Sequence, residues 1–316
     1  MKNKRIAIKI LSGSLTVFAI VLVISLFVRS SAPNQTVEEN IKITEKTYAI
    51  HALPIPVSLE FAGEKAPMER TYVRESYDRE ILVNTYWQSQ TLLLIKRANR
   101  YFPVIEPILK EQEVPDDFKY LALIESSFMP KIVSPAGAAG IWQFLKDTAK
   151  EYGLEVSNEV DERYHLEKST VAACKYLKKA YNKYGAWTLA AASYNAGFAG
   201  IDKQITRQKK NNYYDLLLNE ETERYIFRIL AVKQILSAPA EFGFHLTEED
   251  LYKLIPFYEI EVNGSIDDFA DFAEEYGVTY RELKDLNPWL RETNLKNPNK
   301  KSYIIKIPEE NAFIFK

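Results

Sequence analysis

The stretch from Phe118 to Phe144 constrains this chain more than any other. Phe118, Leu121, Ala122 and Glu125 fall at i, i+3, i+4 and i+7, so they share one face of a helix. Val114-Pro115-Asp116-Asp117 reads as the start of that helix, with acidic residues in the first turn where the helix dipole favours them. Pro130 is expected to end it, because proline cannot donate the backbone bond that continuation requires. A carboxylate on an apolar face is desolvated, which disfavours its ionised form and raises its pKa. Such an acid, still protonated near neutral pH, can protonate a glycosidic oxygen. The same residue also fits a structural carboxylate that reaches solvent or pairs with a base.

The residues downstream bear on that choice. Gly137 and Gly140 punctuate the segment Ser134–Phe144 and let backbone approach a ligand or another helix closely. Trp142 offers a ring suited to a sugar face, and Gln143 a donor and an acceptor for hydroxyl or acetamido groups. A tight helix corner around a core tryptophan accounts for the same residues. Further on, Trp187 to Ala192 is rich in small residues that permit close helix packing, and Gly197 fits a cap just past the helix end. Tyr194 and Asn195 are polar groups at the end of that apolar run. A buried tyrosine hydroxyl needs a partner, and Glu125 is the expected one; Asn195 also fits a plain capping role.

Taken together, in this order and at these separations, these blocks resemble the lytic transglycosylases of glycoside hydrolase family 23. Val114-Pro115, Asp161-Glu162-Arg163, the Ser169–Ala173 block and Glu221-Thr222-Glu223-Arg224-Tyr225 match as well, and the resemblance covers roughly residues 72 to 245. It implies a lysozyme-like, mainly α domain that cleaves the β-1,4 bond between N-acetylmuramic acid and N-acetylglucosamine of peptidoglycan glycan strands. Glu125 occupies the position of the single catalytic acid. By the resemblance it protonates the leaving oxygen and then, as a base, draws the proton from the muramoyl 6-hydroxyl, so that ring closure yields a 1,6-anhydro product without water. Ser134, Gln143, Tyr194 and Asn195 match substrate-binding cleft positions, with Glu221 and Tyr225 in an outer part of the site. Ala138-Ala139 departs from the family, many of whose members carry a larger or basic residue there.

Ordinary glycosidases use two carboxylates at set separations, and no Asp or Glu lies between Gly137 and Trp142. Asp161 is expected to pair with Arg163 or another base. A goose-type lysozyme-like hydrolase and a non-catalytic cell-wall-binding scaffold remain the alternatives, and Glu125 on an apolar face argues against the second.

Ile10 to Val28 is a run of 19 residues without charge, long enough to span a bilayer. Lys2, Lys4, Arg5 and Lys9 precede it and only Arg29 follows closely. Positive-inside logic therefore makes residues 1–9 a cytoplasmic stub and places the rest in the periplasm or otherwise outside the cytoplasm. Ser30-Ser31-Ala32 offers small residues for a cleaved signal peptide, but the run is long for a signal core, so an uncleaved inner-membrane anchor is expected. No cysteine stands at the end of this segment to carry a lipid.

The one cysteine, Cys174, cannot form an intrachain disulfide and reads as buried apolar filler. His51, His165 and His245 lack metal-ligand spacing, and no metal or cofactor is implied. A net charge of −2 gives no reason to invoke nucleic acid. Protein partners from cell-wall synthesis or division stay open.

Residues 29–71 read as a linker, with Tyr48 to Phe61 apolar enough to dock on the folded domain. Residues 72–245 form the catalytic domain, and a smaller α+β domain follows at 246–316. There Phe257–Val262 alternates like a strand. Ser265 to Gly277 reads as a helix with a serine N-cap and a glycine stop, Thr279 opens a second helix through Leu286, and Ser302–Pro308 is another strand. This βααβ order, with Tyr276-Gly277-Val278 and Leu286-Asn287-Pro288, resembles a LysM module, which implies binding of N-acetylglucosamine-containing glycan. A packing module without glycan binding is the alternative.

Overall fold

The structure is a computed structural model that describes residues 50–314. The run Ile10–Val28 lies outside the described residues, and among the described ones no helix is long and apolar enough to cross a membrane.

Folded structure begins before residue 72, inside the stretch expected to be linker. Strands β1 (Glu60–Phe61) and β2 (Glu64–Lys65) form an antiparallel hairpin. Ala62 and Gly63 both have positive φ at its tip, as a two-residue I′ connection requires. Leu59, Phe61, Ala66 and Met68 are buried in the main core. The hairpin also places Glu64 where its carboxylate accepts from Trp187 N–H, from Thr188 N–H at 3.0 Å and from the Thr188 hydroxyl at 2.7 Å. A negative charge on those free donors caps the helix that starts there. This capping at long range had no local signature.

The region from Tyr72 to Lys110 forms two helices, α1 (Thr71–Tyr86) and α2 (Gln88–Glu111). The expected Glu125 helix is α3 (Phe118–Ser126). It ends earlier than Pro130 would impose, because Ser127 turns into the left-handed region at φ 51°. Asp117 is not spent on the helix dipole: its Oδ2 accepts from Ala62 N–H and Lys233 Nζ, each at 2.7 Å. Three further long helices complete the domain, α5 (Leu166–Tyr184), α6 (Trp187–Gln208) and α7 (Glu220–Ser237), with the short α4 (Lys146–Glu151) before them. Gly185 caps α5 at φ 68°. Gly197 does not stop its helix; it kinks α6 at φ 73° and the helix resumes. Asn219 caps α7 by accepting from Thr222 N–H at 2.9 Å. Helix α1 packs on α7, and α5 on α6. Cys174 is fully buried on α5, as expected.

The C-terminal module pairs β3 (Phe257–Val262) antiparallel with β4 (Tyr303–Pro308). Between them lie α8 (Phe269–Glu275) and α9 (Tyr280–Leu286). Asp268, not Ser265, caps α8, accepting from Ala270 N–H. Thr279 opens α9 with a reciprocal box, its hydroxyl and Glu282 answering each other's backbone. Leu246 and Leu251 pack on the main core, so the module's own structure starts at β3 rather than at residue 246. Its buried cluster, built on Phe269, Leu283, Trp289, Ile305 and Ile307, also takes in Ala139, Val160 and Tyr164 from the helical domain.

Candidate active site

Apolar packing of Phe118, Leu121 and Ala122 fixes the azimuth of α3, and all three are fully buried. The same face carries Glu125 to the floor of a cavity of about 560 Å³, where it is half-buried. Ser134, Gln143, Tyr194, Asn195 and Glu221 line this cavity with it. Of the residues expected in the site, Tyr225 alone is not in the lining. It is buried and donates its hydroxyl to Glu125 Oε1.

That contact corrects an expectation. Tyr194 is not the partner of Glu125; its hydroxyl donates to the Trp142 carbonyl at 2.8 Å. Tyr225 approaches from α7, one turn beyond the capped helix start. Trp142 is also not a sugar platform. It is fully buried, and its indole N–H donates to Thr170 Oγ1 at 2.8 Å, so the core reading holds for it.

Desolvation by burial pushes the Glu125 carboxyl up to about 7, and the Glu221 charge adds to the rise. The Tyr225 hydrogen bond and the Arg228 guanidinium oppose it. A carboxyl raised toward neutrality in this way is the kind of group that can serve proton transfer.

The glycine turn forms the facing wall. Gly137 and Gly140 both take positive φ, and a Cβ on Gly140 would stand 1.9 Å from the Arg163 carbonyl oxygen, so glycine is required for the close approach. Ser134 Oγ accepts from Ala138 N–H at 3.0 Å. Gln143, at φ 49°, donates from Nε2 to the Gly140 carbonyl at 2.8 Å. Asn195 donates to Glu221 Oε1 at 3.2 Å and accepts from Thr222 Oγ1 at 2.7 Å. It therefore links the cleft to the start of α7 rather than capping its own helix. The expected Asp161–Arg163 pair is present, with Nη2 to Oδ2 at 2.7 Å.

The structure adds residues that sequence reasoning missed. Tyr176 and Phe198 line the cleft with rings 4.9 Å apart, and Glu151 and Tyr152 stand at its edge. Tyr176 was findable: it shares a helix face with Ala172, Ala173 and Ala180, a polar tip on an apolar stripe as at Glu125. Glu151 and Glu221 put carboxylates in the cleft that the turn itself lacks. A larger cavity of about 620 Å³ lies between α2, the Phe128–Ile132 loop and the C-terminal module, and contains none of the expected site residues. Among the described residues, no cluster of His, Cys, Asp or Glu could hold a metal ion.

Residues 102–217 match the family described as the transglycosylase SLT domain. Residues 258–311 match the soluble lytic transglycosylase C-terminal LysM-like domain. The chain carries an SLT domain followed by a LysM-like domain. It is 28% identical over 243 residues to membrane-bound lytic murein transglycosylase D of Escherichia coli K12, covering 74% of this chain and 52% of that protein. It is 30% identical over 168 residues to membrane-bound lytic murein transglycosylase F of Idiomarina loihiensis, covering 49% and 35%. The 70 kDa soluble lytic transglycosylase of Escherichia coli aligns with TM-score 0.39 and 21% identity over 47% of this chain and 26% of that one. The chain thus spans about half the length of the transglycosylase D that it matches. Glu125, the glycine turn and Tyr194-Asn195 all fall inside the SLT domain; Glu221 and Tyr225 lie just past the matched segment.

Proposed function

We propose that this chain is a peptidoglycan lytic transglycosylase in which Glu125 serves as both acid and base. The observation that carries the reading is a carboxyl raised to about 7 at the floor of a cleft, with a neutral tyrosine hydroxyl as its partner. Protonated Glu125 gives its proton to the glycosidic oxygen as the bond to the muramoyl C1 breaks. The resulting carboxylate takes the proton of the 6-hydroxyl, and that oxygen closes on C1. Atoms balance without water, and the acid is regenerated. Tyr225 holds the carboxylate in place. Ser134, Gln143, Tyr194 and Asn195 contact the glycan, with Glu221 in the outer site. Repeated groups of the glycan also engage the LysM-like domain, and the Ile10–Val28 run anchors the chain in the cell envelope. The names of the membrane-bound relatives agree with that location.

Glu221 and Glu151 favour one second reading, hydrolysis, since a cleft carboxylate can activate water. Mass analysis of products from purified peptidoglycan separates the two. Anhydromuramoyl ends are expected; reducing muramic acid ends would establish the hydrolase instead. A zymogram with wild type and Glu125→Gln tests the assignment of the acid itself.

A further inference from the structure

The LysM-like domain is joined to the SLT domain by more than a tether. Val160 forms an antiparallel bridge with Leu290. Asp161 N–H donates to the Trp289 carbonyl at 2.9 Å, and Arg291 N–H donates to the Glu159 carbonyl at 2.8 Å. The Arg291 guanidinium lies 4.1 Å from the centre of the Tyr164 ring. Residues 159–161 are in this way held against residues 289–291 of the LysM-like domain.

Asp161, at the end of that segment, connects it to the cleft. Asp161 takes Arg163 by two nitrogens, Nε at 2.9 Å from Oδ1 and Nη2 at 2.7 Å from Oδ2. The remaining Nη1 donates to the Gly137 carbonyl at 2.9 Å and to the Phe144 carbonyl at 3.2 Å. Those two carbonyls stand on opposite limbs of the glycine turn that bears Gln143 and lies next to Ser134. The Arg163 side chain is only 11% exposed, so these bonds form with little competition from water. Its own carbonyl is the group against which Gly140 is packed. Ala139, at the centre of the turn, is buried in the LysM-like domain's cluster.

We infer that Arg163 is a positioning residue for the cleft and that the LysM-like domain, besides any glycan it binds, is the brace that holds Arg163 against the glycine turn. This rests on the function proposed above for what the turn does, and on geometry alone for what holds it. Lysine cannot replace Arg163, because a single ammonium lacks the planar fork that grips Asp161 and both limbs together.

The test uses the full chain with Arg163→Lys and, on the domain side, Leu290→Ala. Two readouts are taken: steady-state kinetics on peptidoglycan glycan oligomers, and amide exchange at residues 134–144 against residues 220–237 as reference. In Arg163→Lys we expect kcat/KM to fall about 10²-fold, since ångström-scale misplacement of binding groups costs that much. The upper limb of the pH profile, set by Glu125, stays where it was. Exchange in the turn accelerates at least about tenfold in both variants, while the reference helix is unchanged. Unchanged exchange in the turn overturns the brace. Acceleration in both regions makes the role merely structural and overturns it too. Faster turn exchange with wild-type kcat and KM overturns positioning. If the wild type fails to cleave peptidoglycan, the proposed function falls, and the exchange arm still decides the brace alone.

Discussion

Two neighbouring residues on α7 hold two carboxylates in opposite ways. Arg224 reaches Glu80 on α1, Nε to Oε1 at 2.6 Å and Nη2 to Oε2 at 3.3 Å, and Glu80 is 1% exposed. Tyr225 reaches Glu125 on α3. Successive residues of a helix point about 100° apart, so one α7 turn serves both a seam and a cleft. The seam gives its carboxylate a cation on two nitrogens and closes it from water, a geometry suited to a structural ion pair. The cleft gives its carboxylate a neutral hydroxyl and leaves one side open, which allows the proton to come and go. A buried carboxylate is therefore a candidate for chemistry when its partner cannot fix its charge.

The contrast is broken most severely by removing the cleft acid. Glu125→Gln keeps the Tyr225 hydrogen bond, because the amide oxygen still accepts, but it has no proton to give. Cleavage measured by release of soluble glycan should fall about 10³-fold, within the range assigned to general acid–base catalysis. Folding should be intact by circular dichroism. Retained activity would move the acid elsewhere, with Glu221 first in line.

Glu80→Gln is the matching change in the seam. It removes the main partner of Arg224, which is about a third exposed and keeps Glu220 at 3.6 Å, and should cost about 1 kcal/mol in denaturant unfolding. Activity per folded molecule should stay near wild type. A large loss of kcat with little loss of stability would mean that the seam takes part in the chemistry.

A third test uses the same Glu125→Gln variant for stability against pH. The wild-type carboxyl ionises near 4.5 when unfolded and at about 7 when folded. Below 4.5 both states are protonated and Glu125 costs nothing. Between 4.5 and 7 the unfolded state ionises first, so stability is lost as pH rises, and above 7 the loss is constant. Full burial would make it about 3 kcal/mol; with one side open to the cleft, about 2 kcal/mol is expected. Glu125→Gln escapes the loss, so it should be more stable than wild type at pH 8 and nearly equal at pH 4. Equal stability at both would mean that the carboxyl is not desolvated.

Much of this arrangement was legible in the sequence where local rules govern. The spacing of Phe118, Leu121, Ala122 and Glu125 placed the acid on a buried face, and the alternation of Phe257–Val262, the helix start at Thr279 and the strand at Ser302–Pro308 marked the small domain. What failed were partner choices made in three dimensions. Tyr194 and Tyr225 are both tyrosines near helix landmarks, and only the packing of α7 on α3 decides which hydroxyl meets Glu125. Trp142 could not be told from a sugar platform until Thr170 was seen to take its N–H. Hairpin residues 59–66 looked like linker because their role, closing the core and capping Trp187 through Glu64, is spread over more than 120 positions of sequence.

The finest test of the contrast is Tyr225→Phe. The Tyr225 hydroxyl stabilises the ionised carboxylate, so its hydrogen bond pulls the Glu125 pKa down from where burial alone would put it. Removing the hydroxyl should move the upper limb of the kcat/KM–pH profile to higher pH, by roughly one unit for a bond of about 1 kcal/mol. Glu221→Gln should move the same limb the other way, because the Glu221 charge raises Glu125. Opposite displacements would identify the limb as Glu125, with its two neighbours tuning what burial sets. If both variants shift the limb in one direction, or neither moves it, the titrating group is not Glu125.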